Sequence, residues 1–574
     1  MRLAMAQIGP RTGDLEGNAE RVVRAIRQAR QRGCDLIITP EMAITGYLSG
    51  DLLQVEAYVR ANKALLAERI APEVQDLVAV VGFVDCEKDP RGAAQVCSNA
   101  AALVQHGTVT RVARKQHLCR YRYYDETRYF TPGGETMVAE VNLPAGRIRL
   151  GVLICEDLWD DGYATSPYRE AAEAGADLAV VLNASPFELG KFRRRVEIIR
   201  AQQAAAPLPL AYVNTVGIGD NLKDIIVFDG RSMAFSREGR MIACGKRFAE
   251  ELCIVELDDK QRAAPITPPY QDDEQELFAA LTFALKEYCL NNGFTQAALG
   301  VSGGVDSALC AALAAEALGP QNVLGVSMPG PYSSQATRAD AASVCENLGI
   351  EHAVIPIQQL QTQAVASLSN WREPRRGVTL ENFQARLRGM MLMGIANDTG
   401  RLVISTGNKT ELGLGYCTLY GDMVGGLVLI GDVNKMQVYR LAEHVNRRAG
   451  RDVIPQSVLV RVPTAELAEN QVDPFDYPVV APLADDIIAR QDPATLLERF
   501  RRREMDERYP ADLYERYDES AFEEVLKDTY RRYRDSAFKR SQSSPIVIVS
   551  QRAMGFDLRE TIINWWYRDN PVRE

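Results

Sequence analysis

A chain of 574 residues is too long for one hydrophobic core, and its 46% hydrophobic and 25% charged residues are those of ordinary globular protein, so two or more packed domains are expected. The net charge of −10 speaks against a nucleic-acid backbone as the main partner; no apolar run spans a membrane, and Met1-Arg2-Leu3-Ala4 enters a strand with no signal-peptide core, so a cytoplasmic location is expected. The 11 cysteines include no Cys-x-x-Cys pair and the four histidines lie far apart, which suggests neither a zinc site nor a disulfide framework.

Short apolar strands and helices alternate from Met1 to about residue 260. The pattern predicts strands at Arg2–Ile8, Asp35–Ile38, Leu77–Val84, Ala100–Gln105, Ile148–Ile154, Leu178–Leu182, Ala211–Asn214 and Ile225–Phe228, with an amphipathic helix over Glu16–Arg32. This is an α/β layer domain, assigned to 1–260. A polar, proline-rich stretch, 261–275, reads as a linker, and 276–574 as a second domain.

In the first domain three stretches place capable side chains at or just past a strand end, where α/β folds build sites. They are Thr39-Pro40-Glu41-Met42, Arg114-Lys115-Gln116-His117 and Ile154-Cys155-Glu156-Asp157. A thiol can attack a carboxamide carbon, a lysine ammonium can favour the thiolate and the developing oxyanion, and a glutamate can move the protons. In the order Glu41, Lys115, Cys155 they resemble the triad of the nitrilase superfamily of carbon–nitrogen hydrolases, which implies an α-β-β-α sandwich with Cys155 as nucleophile and the Glu156 N–H as an oxyanion donor. Lys115…Leu118…Tyr121, Asp125-Glu126…Arg128-Tyr129-Phe130 and Asn183-Ala184-Ser185-Pro186-Phe187…Gly190-Lys191…Arg195 resemble the members that draw ammonia from glutamine. That resemblance implies glutamine contacts from Tyr121, Glu156, Ser185 and Lys191, with Arg195 as a further partner for the carboxylate. Leu118-Cys119 departs from the family's Leu-Pro, and the segment over 214–229 is longer than its usual form.

The second domain opens with a helix from about Gln275 to Asn291, stopped by Asn292-Gly293. A strand then runs into Gly300-Val301-Ser302-Gly303-Gly304-Val305-Asp306-Ser307 and an alanine-rich helix. The glycines allow close backbone approach, the hydroxyls and the helix N-terminus suit phosphate, and Asp306 suits a magnesium–pyrophosphate unit. The loop has no lysine, unlike a nucleoside-triphosphatase P-loop. SGGVDS resembles the signature of the N-type ATP pyrophosphatases. Further strands at Val323–Val326, His352–Ile357 and Leu402–Ser405, with helices over Ser334–Leu348 and Leu380–Asn397, predict a doubly wound, mostly parallel sheet.

The order Glu381-Asn382-Phe383-Gln384-Ala385-Arg386, Ser405-Thr406-Gly407-Asn408-Lys409-Thr410-Glu411, Tyr420-Gly421-Asp422, Val462-Pro463-Thr464 and Phe538-Lys539-Arg540 closely resembles the NAD synthetases. The resemblance implies ATP contacts along 300–307 and at Thr406, magnesium (Mg2+) near Asp306 and Glu411, and deamido-NAD near Asn382, Glu411, Asp422 and Lys539. Gly426 stands where the family often has a second aspartate, while Lys409 and Arg386 would also suit solvated surface charges. Taken whole, the chain resembles the glutamine-dependent NAD synthetases, which implies ammonia drawn from glutamine, ATP-driven adenylation of deamido-NAD, a water-poor passage for ammonia, no nucleic-acid or membrane partner, and a homo-oligomer of at least two synthetase domains. Two alternatives stand beside this: a non-catalytic first domain with free ammonia as substrate, and an amidotransferase acting on a nucleobase or tRNA.

Overall fold

The computed structural model describes residues 1–88, 95–257, 264–373, 377–555 and 557–562; the tail with Trp565 and Trp566, and part of the expected linker, lie outside them. The chain divides into two compact units, Met1–Asn221 with Ile226–Gln271, and Leu222–Ile225 with the described residues from Asp272 on.

The strands of the first unit are β1 (Arg2–Gln7), β2 (Leu36–Ile38), β3 (Val78–Lys88), β4 (Gln95–Gln105), β5 (Thr108–Arg114), β6 (Met137–Leu143), β7 (Gly146–Ile154), β8 (Leu178–Asn183), β9 (Leu210–Asn214), β10 (Val216–Asp220), β11 (Asp224–Asp229), β12 (Met233–Phe235), β13 (Met241–Cys244) and β14 (Glu251–Glu256). All but β10 and β11 form two six-stranded sheets, ordered β14-β1-β2-β3-β4-β5 and β13-β12-β9-β8-β7-β6. Successive side chains on a strand point to opposite faces. On β1, Leu3 and Met5 therefore enter the core between the sheets, where they meet Val152, Ile154, Val180 and Val213. Ala4 and Ala6 face the other way, toward α1 (Leu15–Gln31) through its Val22, Ile26 and Ala29. The second sheet buries Val181 and Tyr212 on its outer face under α2 (Pro167–Glu173) and α3 (Lys191–Ala205). Each buried Leu, Ile or Val contributes roughly 1.5–3 kcal/mol relative to exposure. The layers are α-β-β-α. Cys86 and Cys97 sit opposite each other across β3 and β4 and are disulfide-bonded, which corrects the expectation drawn from cysteine spacing; the pair is made by sheet register and leaves no mark in the sequence.

The second unit begins with α4 (Asp273–Asn292), two residues earlier than expected. The Asp272 side chain accepts the Gln275 N–H at 2.7 Å, and the acidic Asp273, Glu274 and Glu276 suit the positive end of the helix. Its strands are β15 (Ala297–Gly300), β16 (Val323–Ser327), β17 (Glu351–Val354), β18 (Leu402–Ser405), β19 (Leu427–Val428) and β20 (Ile546–Ile548). They pair in parallel in the order β20-β19-β18-β15-β16-β17. The order reverses beside β15, so a crevice opens at its carboxyl end. There β15 runs into α5 (Val305–Leu318), and β16 leads to α6 (Gln335–Leu348). The long helix α7 (Gly377–Thr399) packs Leu392 on Ala298, Leu324, Val326 and Val403. Asn408 and Asn434 cap α8 (Lys409–Leu414) and α9 (Lys435–Ala449) with their side chains.

Candidate active sites

In the first unit Glu41 lies three residues past β2, Lys115 directly past β5 and Cys155 directly past β7, so three strands deliver three side chains to one end of the sandwich. Lys115 is fully buried; its Nζ donates to Glu41 Oε1 at 2.7 Å and to Glu126 Oε1 at 2.9 Å, with Cys119 Sγ at 3.9 Å. Asn99 Nδ2 bridges the same carboxylates, 2.7 Å from Glu41 Oε1 and 3.1 Å from Glu126 Oε1. Glu41 Oε2 accepts the Ala184 N–H at 2.8 Å. Glu126 and Asn99 had no assigned role in the sequence reading, because their meeting depends on contacts between distant segments.

Cys155 is 8% exposed, and its φ of 47° places a non-glycine residue in left-handed backbone, a strain that needs support. Asp157 supplies it: Oδ2 accepts the Ile154 N–H at 3.0 Å, and Oδ1 accepts the Gln116 and His117 N–H groups at 2.9 Å each, tying the cysteine turn to the lysine loop. Burial pushes the Asp157 carboxyl up to about 7 against these donors. Burial also pushes the Cys155 thiol well up, Glu41 adding and Lys115 opposing. The Glu41 carboxyl is raised by burial too, with Lys115 the main opposing influence. The resting thiol is therefore protonated, and the lysine ammonium is spent on two carboxylates instead of on a thiolate. A thiol and a carboxylate with raised affinities for one proton can exchange it on demand.

The glutamine-binding candidates lie around this centre. Glu156 is buried and its carboxylate accepts from Tyr121 Oη at 3.0 Å and Tyr163 Oη at 3.1 Å. Lys191 Nζ stands 3.4 Å from Glu188 and 4.8 Å from the centre of the Trp159 ring. The Ser185 N–H donates to Asn214 Oδ1 at 2.9 Å. Arg195 corrects the sequence reading: it is 1% exposed, with Nε on Ser185 Oγ, one terminal nitrogen on Asp229 and the other on the Ser185 and Pro186 carbonyls. It braces the Ser185 segment and has no donor left for a ligand.

In the second unit a cavity of about 330 Å³ opens at the end of β15, lined by the whole of 300–307 and by Thr406, Glu411 and Asp422. Gly303 has φ of 87°, and a Cβ there would meet the Thr337 carbonyl oxygen at 2.2 Å. Ser307 Oγ accepts the Ser302 N–H at 3.2 Å and donates to the Gly304 carbonyl at 3.0 Å, shaping the loop ahead of α5. Lys435, unnoticed in the sequence, reaches in from the first turn of α9: its Nζ lies 2.6 Å from Asp306 Oδ2 and 3.1 Å from Glu411 Oε1. Burial opposes its charge, but the two carboxylates outweigh burial and keep it charged. Asn408 Nδ2 donates to Asp306 Oδ1 at 2.8 Å. Burial pushes the Glu411 carboxyl up to about 7 and that of Asp422 up to about 6.

Residues 2–265 match the carbon–nitrogen hydrolase family and residues 277–542 the NAD synthase family. The glutamine-dependent NAD(+) synthetase of Thermotoga maritima is 35% identical over 607 residues, covering 98% of both chains. This chain belongs to the glutamine-dependent NAD(+) synthetases. That of Synechocystis sp. is 37% identical over 580 residues, again covering 98% of each chain. The solved glutamine-dependent NAD+ synthetase of Acinetobacter baumannii, in complex with ADP, superposes with a TM-score of 0.74 at 32% identity, covering 98% of both chains. The chain is thus a carbon–nitrogen ligase, with a nitrilase-like unit and an NAD synthase unit.

Several features of this synthetase differ from the expectations raised by its sequence. Asn382 and Lys539 do not line the cavity: Asn382 Oδ1 accepts the Thr418 hydroxyl at 2.9 Å, and Lys539 Nζ donates to the Gly415 and Cys417 carbonyls at 2.8 and 2.7 Å. They hold the segment that carries Tyr416 and Cys417 into the wall. Lys409 is buried on Asp432 at 3.1 Å and Asp485 at 3.2 Å, so it is no surface charge. Gly425 has φ of 148°, and a Cβ there would come within 2.9 Å of the Val403 carbonyl. Beside it the Gly426 N–H donates to that same carbonyl at 2.8 Å, so this glycine pair lies close against β18 where the family often places an aspartate.

Proposed function

We propose that the first unit releases ammonia from glutamine at Glu41, Lys115 and Cys155. The observation that carries this reading is Glu41, which faces Lys115 at 2.7 Å and lies, like Lys115, close enough to the buried Cys155 thiol to act on its charge. Cys155 Sγ attacks the amide carbon while its proton passes to Glu41. Lys115 and the Glu156 N–H stabilise the oxyanion. Glu41 returns the proton to the leaving ammonia, then takes one from the water that hydrolyses the thioester to glutamate. Tyr121, Glu156, Ser185 and Lys191 would contact the amino-acid end of glutamine.

In the second unit ATP lies along 300–307 and against Thr406. The nicotinate carboxylate of deamido-NAD attacks the α-phosphorus, pyrophosphate leaves, and ammonia then displaces AMP to give NAD. Asp306 and Glu411, brought together on Lys435 Nζ at 2.6 and 3.1 Å, are oxygen donors that would hold a magnesium ion jointly with phosphate; among the described residues no group of three or more His, Cys, Asp or Glu could hold one alone. When bound, magnesium supplies positive charge to the pyrophosphate. Lys435 already neutralises part of the carboxylate pair and is placed to follow the phosphates. Glu411 and Asp422 would contact deamido-NAD, while Asn382 and Lys539 would act on its site only indirectly, by holding the wall segment over 415–418. Ammonia is nucleophilic only when unprotonated, so a water-poor route from one reaction to the other is expected. Among the described residues no helix is long and apolar enough to cross a membrane.

The test is stoichiometry: with glutamine, ATP, magnesium and deamido-NAD, each NAD formed should be matched by one AMP, one pyrophosphate and at least one glutamate. Formation of ADP in place of AMP would contradict the reading.

A further inference from the structure

Glu156 is set apart among the carboxylates of the glutamine site. It is 6% exposed, yet among the described residues no lysine, arginine or histidine forms an ion pair with it. Its donors are neutral: Tyr121 Oη at 3.0 Å and Cys119 Sγ at 3.5 Å on Oε2, and Tyr163 Oη at 3.1 Å on Oε1. Desolvating a carboxylate without a counter-ion is costly, and three neutral hydrogen bonds offset only part of that cost. Such a group is poised for a cation brought by the substrate, and the α-ammonium of glutamine is that cation.

Tyr163 is built to hold this carboxylate still. Its ring stacks on His117, with centroids 3.9 Å apart and planes within 7°. His117 is itself fixed at three points: its N–H donates to Asp157 Oδ1 at 2.9 Å, Nε2 pairs with Thr165 Oγ1 at 2.9 Å, and Nδ1 faces the Glu156 carbonyl at 3.4 Å. The Asp160 carbonyl accepts the Tyr163 N–H at 3.1 Å, closing the turn that presents the ring. The phenol is thus aimed at Oε1 alone, leaving Tyr121 and Cys119 to hold Oε2.

We propose that Tyr163, stacked on His117, is a positioning residue that sets the Glu156 carboxylate for the α-ammonium of glutamine, and so helps select α-amino amides in the ammonia-producing reaction. This rests on the glutamine-hydrolysing role of Cys155 proposed above. Hydrogen bonds to charged groups contribute enough that losing one changes affinity by roughly tenfold or more.

The experiment compares the full-length wild type with Tyr163→Phe, using glutamine and glutaramate, its analogue without the amino group, each as substrate or competitive inhibitor. The expected result is a KM for glutamine raised about tenfold with kcat changed less than about twofold, and glutaramate affinity and ammonium-supported NAD formation unchanged. An equal fall for both amides would make Tyr163 a merely structural residue and overturn the proposal, as would no change for either. Cys155→Ala, run in parallel, separates the two layers: if it still turns over glutamine, the glutaminase reading fails first, whatever Tyr163→Phe does.

Discussion

Glu411 sits against Asp306 with Lys435 as their shared cation, and its carboxyl is pushed up to about 7 from an ordinary 4.5, burial first, Asp306 adding and Lys435 opposing. A raised carboxyl favours the folded state below its unfolded value and loses that contribution as pH rises through 7. The ligand-free enzyme should therefore lose stability between about pH 4.5 and 7. If magnesium binds with ATP beside Asp306 and Glu411 as proposed, binding needs the ionised group and should release protons near pH 6 and few at pH 8.5. Calorimetry in two buffers of different ionisation heat reads this directly; Glu411→Gln should remove most of the release, and equal release from both proteins would refute the assignment. At this scale the placement of Glu41, Cys155 and Asp306 beyond strand ends was legible because each follows an apolar strand. Lys435 was not, since it meets Asp306 across 129 residues of sequence and is announced only by a helix-capping asparagine. Arg195 was misread for a complementary reason: nothing local says that Asp229 and two carbonyls will saturate its guanidinium.

The strand-loop-helix of β15 and α5 depends on one glycine more than on its neighbours. Alanine at Gly303 would combine φ of 87° with a Cβ 2.2 Å from the Thr337 carbonyl, whereas Gly293, at φ of 75° behind α4, has nothing within 4 Å of such a Cβ. Gly293→Ala should cost about 1–2 kcal/mol of stability from backbone strain and leave ATP binding intact. Gly303→Ala must also displace the loop from α6, so ATP-induced thermal stabilisation should be abolished; retention of that shift would show that the loop is not the phosphate cradle. Most strands expected from apolar runs lie within two residues of their predicted ends, but the two longest differ more: β3 ends four residues later and β4 begins five residues earlier than the apolar runs Leu77–Val84 and Ala100–Gln105. β5 could not be read, because its residues are exposed but for Ala113, and the two-residue β19 is defined only by its neighbours. Those elements nonetheless matter: β5 places Lys115, and β19 pairs with β18, whose end leads to the cavity of the second unit.

For the whole molecule the combination of a nitrilase-like and an NAD synthase unit was legible from the paired motifs. On α7, Val378, Met390 and Met393 are 51%, 53% and 39% exposed, apolar surface of the kind that a second synthetase unit would cover. Light scattering should give at least a dimer, and Met390→Glu with Met393→Glu should shift it toward monomer; an unchanged dimer would place the interface elsewhere. On the proposed reading two chemistries share one chain and meet through ammonia. It is tested most directly by NAD formation in wild type and Cys155→Ala with glutamine or ammonium chloride as nitrogen donor, in the presence of deamido-NAD, ATP and magnesium. Wild type should use both donors, and Cys155→Ala should lose glutamine-supported synthesis by at least about a thousandfold while keeping the ammonium-supported rate. Glutamine-supported synthesis that survives in Cys155→Ala would contradict that reading.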